Sequence, residues 1–101
     1  MSAGSATHLV IIPTYNTGAI LLQTVCDARR AWNPVWVVAD GSTDDSEAPI
    51  RRLAAEDGGL RLLTLPENRG KGAAILHGLR AAQVEGFTHA LSMDADGQHP
   101  A

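Results

Sequence analysis

Leu9-Val10-Ile11-Ile12-Pro13-Thr14 is the stretch whose reading decides the fold. A continuous apolar run closed by proline suits a strand covered on both faces, the kind found in parallel sheets. Val35-Trp36-Val37-Val38 repeats the pattern and is closed by Asp40-Gly41-Ser42. Between them Ile20, Leu21, Leu22, Val25 and Ala28 recur at helical spacing, and this segment must stop before Asn33-Pro34 because proline disfavours helix in its predecessor. The unit then repeats. Asp44 or Asp45 can cap a helix carrying Ile50, Leu53 and Ala54, Gly58-Gly59 breaks it, and Leu60 to Leu65 supplies a third strand. From Gly70 to about Val84 the residues Ile75, Leu76, Leu79 and Ala82 form a stripe, Gly86 terminates it, and Thr88 to Met93 supplies a fourth strand. Strands alternating with helices in this way predict right-handed crossovers and a three-layer α/β/α unit on a mainly parallel four-stranded sheet.

The chain has 101 residues, 45% of them hydrophobic, enough for one small domain. Residues 1–7 are small and polar and read as a frayed start, leaving 8–101 as the domain. A formal net charge of −3 with dispersed Lys and Arg argues against a nucleic-acid or anionic-membrane surface. Cys26 is the only cysteine, so no disulfide framework or thiolate cluster is available, and it is expected on a buried helix face. No apolar stretch is long enough to cross a bilayer.

In a parallel sheet the loops at the carboxyl ends of the strands form the ligand crevice. Every unusual motif falls there: Pro13-Thr14-Tyr15-Asn16, Asp40-Gly41-Ser42, Pro66-Glu67-Asn68-Arg69-Gly70-Lys71-Gly72, and Asp94-Ala95-Asp96-Gly97-Gln98-His99. The last carries the most information. A lone Asp-x-Asp is usually a solvated turn. Here it ends an apolar strand and Gln98 adds a third hard oxygen, which suits a divalent cation holding phosphate. The loop is not a calcium-type helical site, since its sixth position is His99 rather than glycine.

Asp40 is placed to accept hydrogen bonds from a nucleobase or a ribose, with a turn or helix cap as the ordinary alternative. Tyr15 offers a ring to stack on a base, or else packs in the core. Arg69 and Lys71, interleaved with Gly70 and Gly72, stand at a helix start where free N–H groups favour an anion such as a diphosphate, with an ordinary glycine-containing helix start bearing solvated charges as the alternative. The loop is neither a P-loop nor a dinucleotide fingerprint, because Gly72 follows Lys71 and Ile75 occupies the third small position. His8, His77 and His89 lack metal-ligand spacing, and Trp32 and Trp36 read as packing residues.

Taken together and in order, these four motifs resemble the family 2 glycosyltransferases of GT-A fold, most closely the dolichol-phosphate and polyprenyl-phosphate sugar transferases, and they span nearly the whole chain. The resemblance implies the Rossmann-like N-terminal half that binds a nucleoside-diphosphate sugar, a UDP- or GDP-sugar. Pro13 and Tyr15 would line the base pocket, Asp40 would hydrogen-bond the base, and Arg69 and Lys71 would lie near the diphosphate. Asp94, Asp96 and Gln98 would meet Mg2+ or Mn2+ bridging the phosphates. Two departures stand out: Thr17 and Ala39 occupy positions where the family often has acidic residues. The family's general base for inverting transfer lies further along than this chain runs, so no residue here is assigned that role. The chain therefore reads as the front half of a cytoplasmic enzyme domain, with a membrane lipid acceptor and any membrane attachment left to other segments. Rival expectations are a sugar-nucleotide nucleotidyltransferase, a phosphatase with Asp94 as nucleophile, and a non-catalytic fragment that self-associates.

Overall fold

A computed structural model describes residues 7–15, 20–41, 47–67 and 69–93, with only the backbone of Lys71. The elements run β1 (His8–Thr14), α1 (Ile20–Ala31), β2 (Val35–Asp40), α2 (Glu47–Glu56), β3 (Leu60–Leu65), α3 (Lys71–Val84) and β4 (His89–Ser92). The sheet order is β3-β2-β1-β4, and all three pairings are parallel. The alternating fold expected from the sequence is therefore present, with the first strand in the interior of the sheet.

Strand alternation sends successive side chains to opposite faces, so the interior strands build two cores. Val10, Ile12, Val35 and Val37 pack with Leu21, Val25 and Ala28 of α1 and Ile50 of α2. Leu9, Ile11, Trp36 and Val38 pack with Ala74 and Ala82 of α3. Hence α1 and α2 cover one face and α3 the other. Each fully buried Val, Leu or Ile contributes about 1.5–3 kcal/mol relative to exposure.

The helical stripes differ in detail from those expected. On α1 the buried residues are Leu21, Thr24, Val25 and Ala28, an i, i+3, i+4, i+7 set. Ile20 and Leu22 flank that face and are exposed, and Cys26 is half-buried. On α3 the sheet-facing residues are Ala74, Gly78 and Ala82, while Leu76 and Leu79 point outward. The reason is close approach: a Cβ on Gly78 would lie 3.2 Å from Ile11 Cδ1 and Cγ2 and from Val38 Cγ2. Leucine does not fit at that separation.

Helix ends follow local chemistry. Arg29 of α1 donates from Nη1 to the Trp32 carbonyl (2.7 Å), favourable at a helix C-terminus. Arg29 also holds Asp57 through two hydrogen bonds of 2.8 Å, tying α1 to the turn after α2. Asp57 Oδ1 accepts in addition from Gly59 N–H (3.0 Å). Gly86, at φ 94°, closes α3, with Phe87 N–H bonded to the Ala82 carbonyl (3.0 Å). The expected caps Asp44 and Asp45 lie outside the described residues.

β4 contrasts with its neighbours: all four of its residues are exposed. It is attached through its register with β1 and through Thr7, whose carbonyl accepts from the N–H groups of Thr88 (3.0 Å) and His89 (2.9 Å). The rings of His8 and His89 stack 4.3 Å apart and 1° from parallel. Trp36 is buried edge-on to Phe87 with the Arg61 guanidinium 4.5 Å from its ring centroid, as a packing residue should be. Trp32 instead lies at the surface and donates from Nε1 to the His8 carbonyl (3.1 Å). Among the described residues no helix is long and apolar enough to cross a membrane.

Candidate functional site

Because every pairing is parallel, Thr14, Asp40, Leu65 and Ser92 all end at the same edge of the sheet. The chain turns from one side of β1 to the other after β3, so β1 and β4 flank the topological switch point, where open α/β sheets bind ligands.

Pro13 shapes this point. The Ile11 carbonyl accepts from Met93 N–H (2.9 Å), so the peptide groups of Ile11 face β4, and by alternation those of Pro13 do as well. Proline has no N–H with which to extend that ladder, and β4 ends here at Ser92. On its other side Pro13 stays in register with Val38 of β2 and is buried. A proline is thus accommodated in an interior strand because it sits where one neighbour has stopped.

Tyr15 follows directly and is 50% exposed, so the alternative of core packing does not apply. Thr14, to which sequence reasoning gives no separate role, is buried beside it; a polar residue closing an apolar run is the signal that could have marked it. Asp40 is only 2% exposed, and its Oδ1 accepts a hydrogen bond from Arg69 N–H at 2.9 Å. A buried carboxylate requires such partners. The bond links the second strand-end motif to the third.

Arg69 is exposed, its Nη2 3.3 Å from Glu67 Oε1. Gly70, at φ 96°, forms the N-cap of α3 with no side-chain cap bond, and its carbonyl accepts from Ala74 N–H (3.1 Å). Only glycine adopts that backbone geometry without strain. The first N–H groups of α3 have no partner within the helix and point toward the strand-end edge. Lys71 opens α3, and its side chain lies outside the described part.

The structure therefore gathers Pro13, Tyr15, Asp40 and Arg69 along one edge. Asp94, Asp96 and Gln98 lie outside the described residues, which end at Met93 beside the switch point. Among the described residues no group of three or more His, Cys, Asp or Glu can hold a metal. The carboxylate and carboxamide donors that follow Met93 are of the hard oxygen class that suits Mg2+ or Mn2+. Elsewhere, a hollow of about 550 Å³ beside α1 and β4 is lined mainly by apolar residues such as Val10, Ala28, Trp32 and Leu91, with His8, His89 and Asp27 among them and neither Lys nor Arg.

Comparison with known proteins gives a consistent picture. Residues 9–101 match the family described as Glycosyl transferase family 2. The polyprenol monophosphomannose synthase of Mycolicibacterium smegmatis is 37% identical over 94 residues, covering 90% of this chain and 36% of that protein. The dolichyl-phosphate beta-glucosyltransferase of Saccharomyces cerevisiae is 33% identical over 100 residues, covering 87% of this chain and 29% of that protein. A mannosyltransferase from Pyrobaculum calidifontis, solved in complex with GDP-Man and Mn2+, superposes with a TM-score of 0.67 at 30% identity, over 98% of this chain and 31% of that one. The chain thus spans roughly a third or less of such relatives, 29% and 19% of two others.

Proposed function

The chain belongs to glycosyl transferase family 2, and from that premise we propose that it is the donor-binding part of an enzyme that transfers a sugar, with inversion, from a nucleoside-diphosphate sugar to a polyprenyl-phosphate-type acceptor. The observation that carries this reading is the placement of Pro13, Tyr15, Asp40 and Arg69 along the carboxyl edge of one parallel sheet. The GT-A architecture supports it, as does similarity to a mannosyltransferase that binds GDP-Man and Mn2+ and to relatives named for polyprenol and dolichyl phosphates.

In this reading Pro13 and the exposed ring of Tyr15 form the base side of the site, and Arg69, Lys71 and the start of α3 face the diphosphate. Asp94, Asp96 and Gln98 would hold Mg2+ or Mn2+. When bound, the metal stabilises the negative charge that develops on the departing diphosphate. The chain's own part is to bind and orient the donor: the α3 dipole and the two cations favour anionic oxygens, and a stacked base fixes the nucleotide's direction. The lipid acceptor would be bound by segments of the parent protein outside this chain.

Calorimetric titration with GDP, UDP and their sugars, with and without manganese, tests the reading. Binding that requires manganese and is lost in Asp96→Asn is expected. Nucleotide binding indifferent to both would remove the metal site.

A further inference from the structure

We propose that Asp40 is a positioning residue, which through its bond to the Arg69 backbone fastens the β3–α3 loop at the strand-end edge. The proposal rests on the donor-site reading above and deepens it. The resemblance implied that Asp40 hydrogen-bonds the base, yet its Oδ1 is already given to the protein, to an N–H 29 residues further along the chain.

Three observations make this bond important for the loop. First, the entry to α3 has no side-chain cap: Gly70 occupies the N-cap position and carries no group that could satisfy the first turn. Second, Gly70 stands at φ 96°, in a region freely accessible to glycine, so the hinge between loop and helix is not stiffened by its own residue type. A bond from outside the loop is one that can set its position. Third, Asp40 is buried at the end of an interior strand, and a carboxylate accepting from an N–H makes a stronger bond than a neutral pair. A buried strand end therefore holds the entry to a helix that has no side-chain cap.

The division of labour at Arg69 follows. Its N–H is occupied by Asp40 while its guanidinium remains at the surface, so the backbone sets the place from which the cation reaches an anion. Asp40 would thus act on the diphosphate end through Arg69 and the start of α3. Removing it should weaken every nucleoside diphosphate alike, whatever its base. A residue contacting the base directly would instead change the preference between bases.

The test combines two measurements on the full chain and on its Asp40→Asn, Asp40→Ala and Arg69→Ala forms. Amide exchange at residue 69, without ligand, reads the tether; titration with GDP and with UDP, each with manganese, reads the site. Asn keeps an acceptor oxygen, so exchange at residue 69 and both affinities should stay within about threefold of the unaltered chain. Asp40→Ala should speed that exchange about tenfold or more and weaken GDP and UDP by a similar factor of about ten. Arg69→Ala keeps the N–H, so protection at residue 69 should persist while affinity falls. Unchanged exchange in Asp40→Ala overturns the proposal, and so does an Asn variant that alters the GDP-to-UDP ratio with residue 69 still protected. Should the Ala form not fold, the Asn form decides between tether and base contact. If the unaltered chain bound neither nucleotide, the donor-site reading would fail, while amide exchange would still decide the tether.

Discussion

At the scale of single residues, two glycines of one helix answer to different constraints. Gly78 lets α3 approach Ile11 and Val38, whose side chains are buried and cannot yield cheaply, whereas a Cβ on Gly72 meets nothing within 4 Å. Alanine gains roughly 1 kcal/mol over glycine inside a helix, but overpacking a core costs about 1–3 kcal/mol. Gly78→Ala should therefore destabilise the chain by about 0.5–2 kcal/mol, and Gly72→Ala should stabilise it by up to about 0.5 kcal/mol, both read from urea midpoints. The Arg29–Asp57 pair provides a pH handle. The hydrogen bond from Arg29 holds the Asp57 carboxyl below its ordinary value; burial opposes this, and Gly59 N–H and the Arg29 charge add to it. The same bond raises Arg29. Since the folded carboxyl is the stronger acid, its stabilising contribution is complete above the unfolded carboxylate range. It disappears as pH falls through the lower folded value. Asp57→Asn should flatten that part of the acid dependence and lower stability near neutral pH by about 1–2 kcal/mol, measured by urea unfolding between pH 7 and 3.

At the scale of elements, β4 differs most from the rest of the sheet. β1 and β2 are buried between helices, whereas β4 shows four exposed residues, with Leu91 66% exposed. Backbone hydrogen bonds near solvent and with few apolar neighbours open by local fluctuation, while those of interior strands open only in larger events. Amides of β4 should exchange about a hundredfold faster than those of Val37 and Ile12 under native conditions, as measured by NMR hydrogen exchange. Equal protection across the sheet would show that β4 opens only with the whole domain. The same exposure explains why an apolar run alone is an incomplete guide to burial: Ala90 and Leu91 are as apolar as the residues of β1, but no helix among the described residues covers them.

At the scale of the whole molecule, the donor-site reading predicts that ligand and metal stabilise the fold together. At about a hundred times the dissociation constant, a ligand binding only the folded state adds about 2.7 kcal/mol. For a domain of this size that corresponds to a rise in Tm of about 10 °C with GDP or UDP plus manganese, which Asp96→Asn should abolish. By itself the sequence determined the order of strands and helices, their parallel arrangement, the helix ends at Asn33-Pro34, Gly58-Gly59 and Gly86, and the gathering of motifs at the carboxyl ends of the strands. These follow from local patterns of apolarity and from glycine and proline, which act within a few residues. Tertiary structure alone decided the strand order, the small-residue face of α3, the stacking of His8 on His89, and the bond from Arg69 N–H to Asp40. Each of these depends on the distance between elements far apart in the chain. Helical periodicity tells which residues share a face but not how closely that face approaches the sheet, and so it could not choose Ala74, Gly78 and Ala82 over the leucines beside them.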